Sequence, residues 1–254
     1  MRLAILLAGL IAQVSVLAMA AEGCRHQDRL SGPHQASLLE LYTSEGCSSC
    51  PPADQALSGL LNKADPSLVA LAFHVDYWDY LGWTDRFASP RWSQRQYQRA
   101  RQAGVRTVYT PQFVLNGRDV AMVAERLLQK QLAQPATAPM SIRLSLNVAE
   151  KGLAVAVEVK PLAAVSAGKV YAALYENGLE SRVQAGENAG TVLRHDAVVR
   201  GLLGPWQLDA GGRLQMTGIL PLGVGQRLMN SGVAVWVEHS TSGQVLQALS
   251  VACQ

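Results

Sequence analysis

The stretch that decides the fold is residues 38–52, which read LLELYTSEGCSSCPP. Residues 38–42 form a short apolar run typical of a buried strand, and apolar side chains recur at helical spacing from residue 51 to residue 63. Cys47 and Cys50 therefore lie where a strand gives way to a helix. Because a helix N-terminus carries partial positive charge and unpaired N–H groups, it stabilises a thiolate. The pattern indicates a dithiol suited to sulfur redox chemistry.

The two cysteines have different predicted roles. We expect Cys47 to face solvent at the helix tip and act as the nucleophile, and Cys50 to point down the first turn and resolve the mixed disulfide. Glu45 would raise the pKa of Cys47 if the two side chains lie close together. The same motif could instead be a structural disulfide or half of a metal site. A zinc site, however, needs a second Cys or His pair at short spacing, and the sequence has none.

The N-terminal residues predict export. Arg2 precedes an apolar stretch that ends at the small residue Ala20, so residues 1–20 read as a signal peptide. An uncleaved membrane anchor and lipidation of Cys24 are the alternatives. No later segment is apolar for long enough to cross a bilayer. We therefore expect a periplasmic or secreted protein that is not inserted in a membrane once its signal is removed.

Composition and cysteine content limit the function classes. The chain has 254 residues, of which 49% are hydrophobic, and its formal net charge of +3 is too small to indicate nucleic-acid binding. Four cysteines in an exported protein favour oxidised pairs. Cys24 and Cys253 lie near the two ends of the mature chain and outside the dithiol motif, so by elimination we expect them to form a structural disulfide. Two unpaired thiols are the alternative.

The chain divides into two halves with different patterns. Residues 36–134 alternate strand and helix signals, with later helices predicted at residues 90–103 and 122–132, which is an α/β layout. Residues 140–254 instead alternate apolar and polar side chains over several short segments separated by glycine-rich turns. This second pattern is typical of an all-β sandwich domain.

A stretch beyond the dithiol supports a more specific fold. Residues 107–117, which read TVYTPQFVLNG, resemble the segment of thioredoxins and glutaredoxins that carries a cis-proline just before a strand. The resemblance implies an α/β thioredoxin-like first domain with a cis Thr110–Pro111 bond beside the dithiol. It also implies that the backbone around Tyr109, Thr110 and Pro111 binds an extended substrate peptide.

Several longer stretches resemble one bacterial family of secreted thioredoxin-like proteins, which is defined only as a domain of unknown function. The matching stretches are LYTSEGCSSCPPAD at residues 41–54, FHVDYWD at 73–79, GW and DRFASP within 82–90, ENGL at 176–179, GENAG at 186–190 and LRHD at 193–196. Because they span most of the mature chain, the resemblance implies membership of that family. It strengthens the thioredoxin-like fold and leaves the reaction open.

Three further features could take part in function. His74 follows the second predicted strand and could join Cys47 and Cys50 as a copper ligand, with packing at the strand end as the alternative. The aromatic side chains after it could line a substrate groove or pack a long loop: Tyr77, Trp78, Tyr80 and Trp83. The second helix carries a row of basic side chains, which predicts a solvated face or a surface for an acidic partner: Arg91, Arg95 and Arg99.

These features predict an exported thiol–disulfide oxidoreductase that uses the Cys47–Cys50 dithiol and no cofactor. Its partners would be a protein or small-molecule disulfide or thiol, and a separate redox partner that recycles it. Two other classes remain open: a thioredoxin-fold binding module such as a copper carrier using Cys47, Cys50 and His74, and a scaffold whose dithiol stays oxidised. The sequence leaves the direction of the redox reaction open, because it depends on the relative stability of the two redox forms.

Overall fold

The structure, a computed structural model, describes Cys24 and residues 26–120, 132–133, 136–165 and 167–253. The predicted signal peptide, residues 1–20, and nearly all of the helix predicted at residues 122–132 lie outside the described residues. Among the residues that are described, no helix is both long enough and apolar enough to cross a membrane.

Two α-helices lie in the first half of the described chain. α1 spans Pro51–Leu61 directly after the dithiol, and the two prolines at its start are tolerated because the first turn has no intrahelical partner for its N–H groups. α2 spans Pro90–Gln102, and the side chain of Ser89 caps it by accepting a hydrogen bond from the backbone N–H two residues on. Both helices therefore begin at residues that favour a helix start.

The strands of the described residues form a large sheet, a small sheet and a hairpin. In chain order they are β1 (Gln27–Leu30), β2 (Ser37–Thr43), β3 (Leu68–His74), β4 (Gln112–Leu115), β5 (Arg118–Val120), β6 (Met140–Ala149), β7 (Gly152–Pro161), β8 (Gly168–Glu176), β9 (Leu179–Arg182), β10 (Val192–His195), β11 (Val198–Gln207), β12 (Leu214–Pro221), β13 (Ser231–His239) and β14 (Val245–Ala252). The eight-stranded sheet has the order β14-β13-β8-β11-β3-β2-β4-β5, and the four-stranded sheet has the order β1-β6-β7-β12. β9 and β10 form the hairpin.

The large sheet contains strands from both halves of the chain. β2 and β3 run parallel, and β4 pairs antiparallel with β2. On the other side, β11 meets β3 in parallel at the pair Val198 and Ala72, and it pairs antiparallel with β8. β1, which precedes the α/β region, pairs with β6 of the small sheet. The two predicted domains therefore share one hydrogen-bonded sheet.

Two apolar cores lie on opposite faces of β8. Tyr171 and Ala173 pack in the core that includes apolar residues of α1 and α2, whereas Ala172 and Leu174 pack in the core that the small sheet shares with the large one. A strand buried on both faces reads as a continuous apolar run. The second half of the chain therefore contributes to the core under the helices on one face of the large sheet and builds its own core on the other.

A disulfide joins the two ends of the described chain. Cys24 and Cys253 are 0% and 1% exposed, and their bond closes a sequence separation of 229 residues within the core shared by the two sheets. Cys24 precedes β1 and Cys253 follows β14. The bond therefore fastens both terminal strands to the same core.

The inward face of α2 is charged and buried. Arg95 and Arg99 are 5% and 4% exposed, so the expectation of a solvated or partner-binding basic face is wrong for these two residues. Arg95 Nε lies 2.7 Å from Oε1 of Glu40 in β2, and Arg99 Nη2 lies 2.8 Å from both Oε2 of Glu40 and Oε2 of Glu238 in β13. Burial alone would raise the pKa of Glu40, but the two arginine charges and hydrogen bonds outweigh it and lower that pKa. The helix is thus held to the sheet by paired buried ions.

Candidate functional site

The dithiol lies at the junction of β2 and α1. Cys47 and Cys50 form a disulfide, and Cys50 is the N-cap residue of α1, with its carbonyl oxygen accepting hydrogen bonds from the N–H groups of Ala53 and Asp54. The two serines between the cysteines are exposed. Cys47 itself is only 1% exposed, so the expectation that it faces solvent is wrong. A later loop of the chain is hydrogen-bonded to the turn that contains it.

The predicted proline segment is linked to the dithiol turn through a tryptophan. The Thr110–Pro111 bond is cis. Trp78 Nε1 donates a hydrogen bond to Thr110 Oγ1 at 2.7 Å, and a Cβ added at Gly46 would lie 3.0 Å from the Trp78 Cβ. The carbonyl of Tyr109 accepts a hydrogen bond from Gln96 Nε2 at 2.8 Å. Of the three residues expected to bind a peptide, Tyr109 therefore has its carbonyl already occupied.

Titratable side chains are buried together beside the dithiol turn. His74 Nδ1 lies 2.6 Å from Asp85 Oδ2, which also accepts the backbone N–H of Glu45 at 2.9 Å. Burial raises the pKa of Asp85, but the interaction with His74 and the backbone hydrogen bonds outweigh it and lower that pKa to about 2. The His74 ring is thus held by a carboxylate. Within the described part of the chain, no group of three or more His, Cys, Asp or Glu side chains has an arrangement that could hold a metal ion.

His195, from β10 in the second half of the chain, completes this buried cluster. Its Nε2 lies 3.3 Å from Glu45 Oε1, and its Nδ1 lies 3.8 Å from Asp54 Oδ2. Thr43 Oγ1 donates a hydrogen bond to the same Asp54 oxygen at 3.2 Å. The rings of His195 and His74 pack edge to face with their centroids 4.8 Å apart. The His195 imidazole therefore lies between the carboxyl of Glu45, which precedes the dithiol, and the carboxyl of Asp54, which follows it.

Replacing Asp54 by Asn is expected to change how stability depends on pH. Burial raises the pKa of Asp54 to about 7, whereas the unfolded chain has an ordinary Asp pKa of about 4. Between these values the folded protein binds a proton that the unfolded chain has released, so this contribution to stability falls as the pH rises from about 4 to about 7. Asn does not ionise, so the stability of the variant does not fall for this reason as the pH rises.

The measurement is urea unfolding of both proteins at about pH 5 and about pH 8. Asp54→Asn should gain stability relative to the natural protein at the higher pH. Asp28→Asn is the control, because the Asp28 side chain is 53% exposed. An Asp54→Asn protein with the pH dependence of the natural chain would show that Asp54 is ionised throughout this range.

A loop of the second half covers the dithiol turn. Residues 183–191 connect β9 to β10. The Asn188 Nδ2 group donates hydrogen bonds to the carbonyl oxygens of Glu45 and Cys47, at 2.8 and 3.0 Å. Oε2 of Glu187 accepts the backbone N–H of Ser48 at 2.9 Å. These three bonds fasten the loop to the turn that contains the buried Cys47.

Of the aromatic residues predicted to line a groove or pack a loop, some make hydrogen bonds around the site and one is exposed. Trp83 Nε1 donates a hydrogen bond to Glu45 Oε2 at 2.8 Å, and the Tyr77 hydroxyl donates to Gln96 Oε1 at 3.0 Å. Tyr80 is 79% exposed. The tryptophans thus hold the dithiol turn and the Thr110 segment, and Tyr80 is left at the surface.

The structure brings the dithiol and the Thr110 segment together with residues to which the sequence assigned no role. These residues are Asp54, Asp85, Glu187, Asn188 and His195. The last three belong to the second half, and their only signal was that they fall in stretches resembling the family. A local pattern does not show which later loop reaches a site, because that depends on how distant strands pair.

The fold and the site define a mostly β-sheet protein with a buried Cys-x-x-Cys disulfide, to whose turn residues of the second half are hydrogen-bonded. The chain belongs to the family described as protein of unknown function (DUF1223), whose sequence profile matches residues 38–238. That range includes the dithiol, the covering loop and His195.

Two solved structures are similar to this chain. The crystal structure of an Agrobacterium tumefaciens protein is 28% identical, with a TM-score of 0.66 over 88% of this chain and 97% of that one. HBP35 of Porphyromonas gingivalis is 17% identical, with a TM-score of 0.68 over 87% of this chain and 76% of its own. Both matches cover most of this chain, so the likeness extends over both of its halves. The comparison with curated proteins finds no match.

Proposed function

We propose that the protein is an exported thiol–disulfide oxidoreductase, periplasmic or secreted, with a thioredoxin-like α/β region. The observation that carries the proposal is the Cys47–Cys50 disulfide at the N-terminus of α1. A helix N-terminus favours the thiolate form of a cysteine, and the thiolate is the species that exchanges disulfides. The link from the same turn to the Thr110–Pro111 segment supports it. Export rests on the signal-like sequence of residues 1–20.

The reaction transfers two electrons between the dithiol and a disulfide. The Cys47 thiolate attacks one sulfur of a substrate disulfide, that S–S bond breaks, one substrate thiolate leaves, and a mixed disulfide forms. The Cys50 thiolate then attacks Sγ of Cys47, which releases the second substrate thiolate and closes the Cys47–Cys50 bond. The substrate gains the two electrons that the protein loses, and the two protons of the protein dithiol are taken up by the released thiolates. The reverse sequence oxidises a substrate dithiol.

We infer that Asp54 accepts the proton of Cys50. Residues four apart on a helix share a face, and Cys50 and Asp54 are 0% and 5% exposed. Burial raises the pKa of Asp54 to about 7, so at neutral pH its carboxylate is a stronger base than an exposed one. A buried thiol needs such a neighbour because bulk water does not reach it.

We expect Cys47→Ser to abolish disulfide exchange and Cys50→Ser to accumulate mixed disulfides. Without Cys47 no mixed disulfide forms, and without Cys50 it forms but is not resolved. The measurements are insulin reduction with a chemical thiol as electron source, and mass spectrometry of the purified variants without reduction. Gln55→Ala is the control, because it changes an exposed side chain of α1 and leaves both thiols.

Three results would count against the proposal or change it. Insulin reduction by Cys47→Ser at the rate of the natural protein would contradict it. Faster alkylation of Cys50 than of Cys47 in the reduced protein would reverse the two roles. A dithiol that stays oxidised in protein taken from cells, with no exchange in the assay, would identify a scaffold instead.

A further inference from the structure

The loop over the dithiol is held by a buried amide. Asn188 is 7% exposed, and its Nδ2 group donates to the carbonyl oxygens of Glu45 and Cys47 on either side of Gly46. Cys47, which is 1% exposed, therefore lies in a turn whose backbone is bound by a side chain from the second half of the chain. An incoming sulfur needs access to Cys47 Sγ, which is buried, so we expect the loop to move before Cys47 reacts.

The loop is also bonded to itself. The backbone N–H groups of Val183 and Gly190 donate to the carbonyls of Thr191 and Val183, and Thr191 Oγ1 donates to the carbonyl of Asn188 at 2.6 Å. These bonds fix the loop's shape independently of the dithiol turn. We therefore expect it to leave the turn as a unit, at the cost of the three bonds that Glu187 and Asn188 make.

Glu187 places a negative charge at the dithiol turn. The hydrogen bonds from Ser48 lower the pKa of Glu187, so the side chain is a carboxylate at neutral pH. It occupies the Ser48 N–H, a donor of the turn in which a Cys47 thiolate would form. The disulfide carries no charge, whereas a thiolate would be repelled by this carboxylate and would compete with it for the same donor.

We propose that residues 183–191 are a lid on the dithiol, in which Asn188 controls access to Cys47 and Glu187 shifts the redox equilibrium towards the disulfide. The inference rests on the proposed function and makes it more specific. A couple whose disulfide form is favoured has a more negative reduction potential, so the protein would act as a reductant of exported disulfides. The second half of the chain then has a role in the chemistry, because it sets the potential and the accessibility of the dithiol.

The test of Glu187 is the reduction potential of the Cys47–Cys50 couple in Glu187→Gln. We expect the equilibrium with glutathione to move about threefold towards the dithiol, because interactions of exposed charges are modest. That change corresponds to a potential about 15 mV less negative. The pKa of Cys47, measured from the pH dependence of alkylation, should fall. Glu180→Gln is the matched control, since Glu180 lies on the same hairpin but pairs with Arg194, 3.5 Å away.

The test of Asn188 is the rate at which iodoacetamide alkylates Cys47 in the reduced protein. We expect Asn188→Ala to be alkylated about tenfold faster, since the variant loses both side-chain hydrogen bonds that hold the loop to the turn. A Glu187→Gln potential equal to that of Glu180→Gln, together with unchanged alkylation of Asn188→Ala, would overturn the lid. Neither readout needs a protein substrate. A lid that behaves as expected in a protein without insulin reduction would therefore reject the proposed function alone.

Discussion

Replacing Glu40 by Gln is expected to lower the free energy of unfolding by about 3–5 kcal/mol, because it leaves two guanidinium groups buried with one carboxylate between them. Glu40 is 0% exposed and binds Arg95 and Arg99, whose side chains are 5% and 3% exposed. In the natural protein the two arginines are balanced by Glu40 and Glu238. The substitution keeps the size of the side chain, so the loss of stability comes from the missing charge and not from a change in packing. Urea unfolding followed by circular dichroism measures it.

An exposed ion pair of similar geometry provides the control. Arg143 Nη1 lies 2.7 Å from Asp28 Oδ2, but the two side chains are 46% and 53% exposed. Water and salt screen such a pair, so Asp28→Asn should cost at most about 1 kcal/mol. If Glu40→Gln lowers the free energy of unfolding no more than Asp28→Asn does, the buried ion pairs of α2 contribute no more to stability than an exposed pair.

This ion cluster shows why part of the fold could not be predicted from the sequence. Glu40 lies in an apolar run, and the spacing of Arg95 and Arg99 predicts the basic face of a helix. The cluster forms because β13 brings Glu238, which is 143 residues from Arg95, to the same face of the sheet. Helix and strand patterns are local, whereas this pairing depends on the order of strands in an eight-stranded sheet.

The dithiol was predictable because its determinants are adjacent in the chain. A strand, Cys47-Ser48-Ser49-Cys50 and a proline-led helix start follow one another, and each has a local signal. The packing around Cys47 was not predictable, because Asn188, which binds the Cys47 carbonyl oxygen, is 141 residues away in the chain. The sequence thus identifies the cysteine pair, and the structure adds what surrounds it.

Removing the Cys24–Cys253 disulfide is also expected to lower the free energy of unfolding substantially while leaving the dithiol intact. In the chain-entropy model, a bond that spans 229 residues restrains the unfolded chain by about 5 kcal/mol. Strain and residual structure in the unfolded state reduce this figure, so a loss of about 2–5 kcal/mol is expected for the Cys24→Ala, Cys253→Ala variant. Loss of the bond also frees the segment before β1 from the end of β14, where chain ends otherwise fray. Urea unfolding under non-reducing conditions measures the effect.

The other disulfide provides a control matched in burial. Cys24, Cys253, Cys47 and Cys50 are all 0–1% exposed, so each double alanine variant loses two buried sulfur atoms. Cys47 and Cys50 are only 3 residues apart, and the same model gives about 2 kcal/mol for so short a loop. The long-range pair should therefore cost more than the dithiol, and the difference isolates the effect of loop length. Equal losses in the two double variants would mean that packing of the sulfur atoms, and not restraint of the unfolded chain, is what the Cys24–Cys253 bond contributes.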